Sequence, residues 1–131
     1  MINSLTVEKI VNELRGDSRF CAVYLLGSAA RGQVRPDSDI DIALLPVQGE
    51  KIDDIMRLAL AADISFTSGL KLDIGILSSA NLVYAKEAIL TGVELYVSDR
   101  EYTDLMTTTL LGMYFAFQDQ RREVLNAYRI G

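Results

Sequence analysis

A chain of 131 residues, half of them hydrophobic, with net charge −5 and a pI of about 4.6, can fill one core with little to spare. The acidic balance and the lack of a Lys/Arg cluster exclude a basic stripe of the kind that neutralises nucleic-acid phosphates, and the absence of histidine excludes Ser-His-Asp and Cys-His hydrolases and most zinc sites. No apolar run approaches the roughly twenty residues that cross a bilayer. Met1–Ser4 shows no secretory leader, and the single cysteine, Cys21, suits a reducing cytoplasm as a small buried hydrophobe.

Val7, Ile10, Val11 and Leu14 recur at helical spacing between Thr6, a candidate N-cap, and Gly16, predicting a helix over 7–15. An apolar run, 21–26, predicts a central strand. Residues 27–38 form a turn, with one helical turn around 29–31 and with Arg35 held extended by Pro36. Ile40, Ile42 and Leu44 alternate with Asp39, Asp41 and Ala43, a strand with one apolar and one carboxylate face. A loop over 46–51 leads to a helix with Ile52, Ile55, Met56, Ala59 and Ala62 as its apolar stripe, stopping at Ser68-Gly69. Leu70, Leu72, Ile74 and Ile76 alternate with Lys71, Asp73 and Gly75 in the clearest strand pattern of the chain. Ser78 or Ser79 is the expected cap of a further helix, with Leu82, Val83, Ile89 and Leu90 as its stripe and Gly92 as its stop; 93–97 is a short last strand. From 101 to 128 a long helix follows, with Leu105, Met106, Leu110, Met113, Phe117, Val124 and Leu125 as its main stripe. The order α-β-β-α-β-α-β-α predicts an α/β (α+β) fold: a mixed sheet of about four strands flanked by helices. With no internal repeat and no linker, the expectation is a single domain over 1–131, with a core over about 5–98 and a C-terminal interaction helix over about 101–129.

The chemistry concentrates in Gly27 to Asp41, G-S-A-A-R-G-Q-V-R-P-D-S-D-I-D. Ten residues separate Ser28 from Asp39, and one separates Asp39 from Asp41. A small-residue turn brings backbone N–H groups against phosphates, since successive N–H groups form anion-binding concavities and glycine has no Cβ to collide with a ligand. Carboxylates two residues apart on a strand point the same way and hold a divalent cation between them. A nucleoside triphosphate with magnesium needs both parts. Asp73 joins the pair if its strand lies beside that of Asp39 and Asp41. Lys71 shares the face of Asp73 and either contacts phosphate or pairs with that carboxylate.

Gly-Ser-x10-Asp-x-Asp resembles the signature of the DNA polymerase β-like nucleotidyltransferase superfamily. The short chain, with G-S-A-A-R-G and S-D-I-D, is similar to the minimal nucleotidyltransferase (MNT) group, and within it to the MntA-type antitoxins paired with HEPN-domain toxins. The likeness extends through most of Val23 to Ile76. It implies a palm-like core, phosphate binding by Gly27 and Ser28, metal binding and catalysis by Asp39, Asp41 and Asp73, and Mg2+ with ATP as substrate. Many relatives carry Arg directly after the Ser, where this chain has Ala29; phosphate contacts then fall to Arg31 and Arg35.

The family reading implies transfer of AMP from ATP to a tyrosine hydroxyl of a partner HEPN ribonuclease toxin, which is thereby neutralised in the cytoplasm without direct nucleic-acid or membrane contact. Two alternatives stay open: an antitoxin that acts by binding alone, and a stand-alone small-molecule nucleotidyltransferase acting as a homodimer. At about 1.5 Å per residue the last helix is on the order of 40 Å long, more than a small core needs. Leu111, Tyr114 and Phe115 lie off its main stripe and are candidate partner contacts, as is Tyr128 near its end.

Overall fold

In the computed structural model, residues 4–30 and 39–130 are described. The order is α1 (Ser4–Arg15), β1 (Phe20–Leu25), α2 (Gly27–Ala30), β2 (Ile40–Pro46), α3 (Asp54–Ser68), β3 (Leu72–Ile76), α4 (Leu82–Thr91), β4 (Val93–Val97) and α5 (Arg100–Ile130). The strands form one mixed sheet in the order β3-β2-β1-β4. β1 pairs antiparallel with both β2 and β4, whereas β2 and β3 run parallel, the crossover being α3.

Alternation along β2 divides the core in two. Ile40, Ile42 and Leu44 face α1 and α3, packing with Ile10, Leu14 and Ile64. Ala43 and Leu45 face α4 and α5, packing with Ala85, Ala88 and Leu110. On β1 the register shifts between Phe20 and Ala22, which is why consecutive Cys21 and Ala22 both lie on the α4/α5 side. Cys21 is buried, as expected, its thiol donating to the Leu45 carbonyl at 3.6 Å.

Several local expectations are corrected. α1 begins at Ser4, placing Thr6 inside the helix rather than at its cap. Pro46 closes β2 instead of opening a loop. α3 starts after Asp53, which accepts from the Met56 N–H at 2.8 Å, and ends at left-handed Gly69. The cap of α4 is Asn81, accepting from the Tyr84 N–H at 3.1 Å, not Ser78 or Ser79. In α4 the inward residues are Ala85 and Ala88, while Val83 and Leu90 are exposed.

The apolar stripes read from the sequence on the two longer helices reach the core only in part: Met106 and Leu110 of α5 pack against it as expected, while most of the others face outward. Ile55 of α3 is 79% exposed, and the inward side carries Leu60, Ala61 and Ile64 together with half-buried Arg57, Ser65 and Ser68. On α5 the inward positions are Thr103, Thr107, Leu110, Tyr114 and Gln118, while Leu105, Met113, Phe117, Val124 and Leu125 are exposed. Both inward stripes mix polar with apolar groups, and hydrophobicity alone passes over them. Their hydroxyls are satisfied locally: Thr107 donates to the Thr103 carbonyl at 2.9 Å and Ser68 to the Ile64 carbonyl at 2.6 Å.

Leu110 is the last fully buried residue of α5. Leu110→Ala is expected to cost about 3 kcal/mol through lost transfer energy and a cavity, whereas Leu125→Ala should stay within about 0.5 kcal/mol. Urea denaturation of the isolated chain measures both, and equal losses would show that the far half of α5 also holds the core.

Candidate active site

Parallel pairing of β2 with β3 sets Asp41 opposite Asp73. Side chains of paired residues emerge on one face, here the α4 side, because Asp41 alternates with Ile40 and Ile42, which point the other way. Asp39 stands just before β2 and is exposed. The Ile40 N–H donates to the Lys71 carbonyl at 2.8 Å, pinning the start of β2 to the chain entering β3. Lys71 thus contributes its backbone here, its side chain remaining exposed.

Across β2, the Leu26 N–H donates to the Asp41 carbonyl at 2.9 Å, bringing the start of α2 against the carboxylate. Gly27 has φ 64°, and a Cβ there would lie 2.9 Å from Asp41 Oδ2. Glycine is required on both counts, for the left-handed backbone and for the close approach. Asp39, Asp41, Asp73 and Gly27 are therefore brought together. Ser28 lies in α2, with its side chain outside the described residues, as are Arg31, Arg35 and Pro36.

Burial raises the Asp41 carboxyl pKa, and the charges of Asp73 and Asp39 raise it further. Among the described residues no three acidic or thiol side chains close into a ready metal cage. The carboxylates gather negative charge in one place and leave the other ligand positions open. That suits magnesium, which takes one or two carboxylates and fills its shell with water and phosphate oxygens.

A cavity of about 340 Å³ opens over this face, running from Leu26 past Asp41 and Asp73. Beyond Asp73 it is lined by Ile74, Gly75, Arg57 and Tyr84, none of them singled out as a site residue from the sequence. Arg57 of α3 reaches the outer edge of β3, where Nη1 donates to the Ile74 carbonyl at 2.9 Å. Tyr84, in the first turn of α4, lays its hydroxyl where a Cβ on Gly75 would sit. Burial, then Asp41 and Asp73, push the Tyr84 pKa to about 12, so at neutral pH it is a hydroxyl donor. A glycine two residues after an acidic position on one strand face was the one available signal.

Strand order, the glycine turn and the acidic pair together define a nucleotidyltransferase palm. Residues 8–101 match the family described as "Polymerase beta, Nucleotidyltransferase", and the chain belongs to that family. It is 27% identical over 126 residues to protein adenylyltransferase MntA of Shewanella oneidensis, covering 95% of this chain and 88% of that protein. It is also similar to a chain in the crystal structure of a toxin-antitoxin with AMP-PNP, with TM-score 0.77, 27% identity, and coverage of 94% of this chain and 98% of the other. A structure of the tri-AMPylated Shewanella oneidensis HEPN toxin in complex with its MNT antitoxin matches with TM-score 0.74 and 25% identity over 98% and 99% of the two chains.

A carboxylic acid whose pKa is raised by folding favours the native state while protonated, and that advantage is lost as pH rises through the carboxylate range and past the raised value. Asp41→Asn should therefore raise the thermal midpoint of the nucleotide-free chain, by more at pH 7 than at pH 4. Melting curves of both proteins at the two pH values test this; an equal gain at both would mean that the charge of Asp41 is not the cause.

Proposed function

We propose that this chain is an antitoxin-type protein adenylyltransferase, which transfers AMP from ATP to a tyrosine hydroxyl of a partner HEPN ribonuclease toxin and so neutralises it. The observation that carries the reading is the Asp41–Asp73 register on paired strands beside left-handed Gly27. Likeness over nearly the whole chain to an adenylyltransferase and to antitoxin–toxin complexes supports the partner and the chemistry.

Backbone N–H groups at Gly27, with Ser28, receive the β- and γ-phosphates; Arg31 and Arg35 are the candidate cations beside them. Asp39 and Asp41, with Asp73 adjacent, are the residues that would hold Mg2+, and the ion would supply charge stabilisation for phosphoryl transfer. Asp73 accepts the proton of the attacking hydroxyl, an oxygen–phosphorus bond forms at the α-phosphate, and the α–β anhydride bond breaks to release pyrophosphate. The three AMP groups on the relative's toxin make repeated transfer part of this reading. Among the described residues no helix is long and apolar enough to cross a bilayer.

The outer half of α5 is the proposed partner surface. Phe115 is exposed. Tyr114 lies edge-on to it at 5.3 Å and is itself half-buried, beneath Lys86 and bonded to Gln118 at 3.0 Å. Leu111 is likewise half-buried. Phe115 is thus the anchor of the three, and Tyr114 also serves the packing of α5 on α4.

Intact mass of a HEPN partner incubated with this protein, ATP and magnesium is the primary test. Asp39→Asn with Asp41→Asn should abolish the mass increase, and Asp73→Asn should remove most of it while keeping measurable ATP binding. Neutralisation that survived the double change would favour an antitoxin acting by binding alone. AMP transfer to a small hydroxylated acceptor in the absence of partner would favour the stand-alone enzyme.

Phe115→Ser should weaken partner binding by more than about 1 kcal/mol, as loss of an aromatic anchor does, without altering the melting curve or ATP affinity. Calorimetric titration against the partner measures it. Unchanged affinity would remove Phe115 from the interface, and an unfolded variant would place it in the fold.

A further inference from the structure

We propose that Arg57 is a specificity-determining residue on the acceptor side: its guanidinium holds the phosphodiester of an acceptor that already carries AMP, so that later additions depend on it more than the first does. The inference deepens the adenylyl-transfer reading above and rests on it.

In-line displacement sets the direction from which the acceptor comes. The attacking oxygen must approach the α-phosphorus opposite to the departing pyrophosphate. With the terminal phosphates at the Gly27 turn, beside β1 and against Asp41, the leaving group occupies the β1 side. β2 and β3 come next, each about 4.8 Å further on, and Arg57 lies at the free outer edge of β3. The acceptor therefore enters through the half of the cavity lined by Asp73, Gly75, Tyr84 and Arg57.

The charges of that half distinguish two kinds of acceptor. An unmodified tyrosine is neutral and needs no cation beside its hydroxyl. After the first transfer the acceptor is a ribose hydroxyl of the attached AMP, with a negative phosphodiester a few bonds away. Asp41 and Asp73 repel that group. Among the described residues Arg57 is the one cation lining the cavity. Its Nη1 is held by the Ile74 carbonyl at 2.9 Å, and Nη2 lies 3.7 Å from Asp54, a carboxylate left almost wholly in water. The guanidinium is thus fixed in place with donor capacity to spare, and guanidinium binds phosphate oxygens with charge-assisted hydrogen bonds. The Tyr84 hydroxyl, donating to no described residue, supplies a second donor on the same side. In each later step the ribose oxygen bonds to the α-phosphorus of a new ATP, pyrophosphate leaves, and the hydroxyl proton passes to Asp73.

The test is a time course of partner modification, with AMP groups counted by intact mass and located by peptide mapping. Arg57→Gln keeps an N–H donor for the Ile74 carbonyl while removing the charge, and Arg57→Lys keeps the charge. Wild type and Arg57→Lys should build two or more AMP groups on one residue. Arg57→Gln should lower the ratio of second to first addition rates by roughly tenfold or more, the size of a lost charge-assisted hydrogen bond, with AMP-PNP affinity within about twofold of wild type. An unchanged ratio, or equal slowing of both additions, would overturn the proposal. Loss of AMP-PNP affinity would show that Arg57 holds ATP instead, and AMP groups on separate residues would remove serial addition. If wild type adds no AMP at all, the transfer reading itself falls, and this inference with it.

Discussion

Two like charges on neighbouring strands repel, and a sheet that sets Asp41 beside Asp73 must hold them there with everything else it has. The interior strand β2 is tied on both sides, to β1 and to β3, and its opposite face is closed by Ile40, Ile42 and Leu44 against α1 and α3. Burial of that apolar face, at roughly 25 cal/mol per Å², offsets the unfavourable crowding of carboxylates on the other. Burial raises the Asp41 pKa first, and the neighbouring charges of Asp73 and Asp39 add to it. Any cation held there would relieve the crowding, so ligand binding and folding strength would draw on the same local charge.

The strands were legible because strict alternation has one structural meaning: Ile40-Asp41-Ile42 and Leu72-Asp73-Ile74 each put a carboxylate on the face opposite buried aliphatics. That β2 and β3 are neighbours is a tertiary fact, anticipated only through family likeness. The helices were legible as helices but not in rotation. α3 presents Arg57, Ser65 and Ser68 inward, and α5 presents Thr103 and Gln118, so a stripe drawn through the most apolar residues meets the core only at a few positions such as Met106 and Leu110.

The misread face of α3 is also where the cavity gains Arg57. Local pattern and global fold disagree most where function requires polar groups inside. Gly75 makes the same point from the strand side. In a pattern it is a weak spot in an alternating run; in the structure it is the notch that admits Tyr84. Of the candidate residues, Gly27, Asp39, Asp41 and Asp73 share one face of one site. The interface trio divides, Phe115 remaining in solvent while Leu111 and Tyr114 settle partly against the body of the chain.

α5 outruns its support. Gln118 is its last inward position, and α5 continues to Ile130, twelve residues and about 18 Å further at 1.5 Å per residue. Such a rod is a lever pivoted at the edge of the domain. A tilt of about 10° at its base, well within the range by which helices bend, moves its tip by roughly 3 Å. Angular compliance of this kind moves the end of α5 relative to the sheet with no rearrangement of the carboxylates themselves.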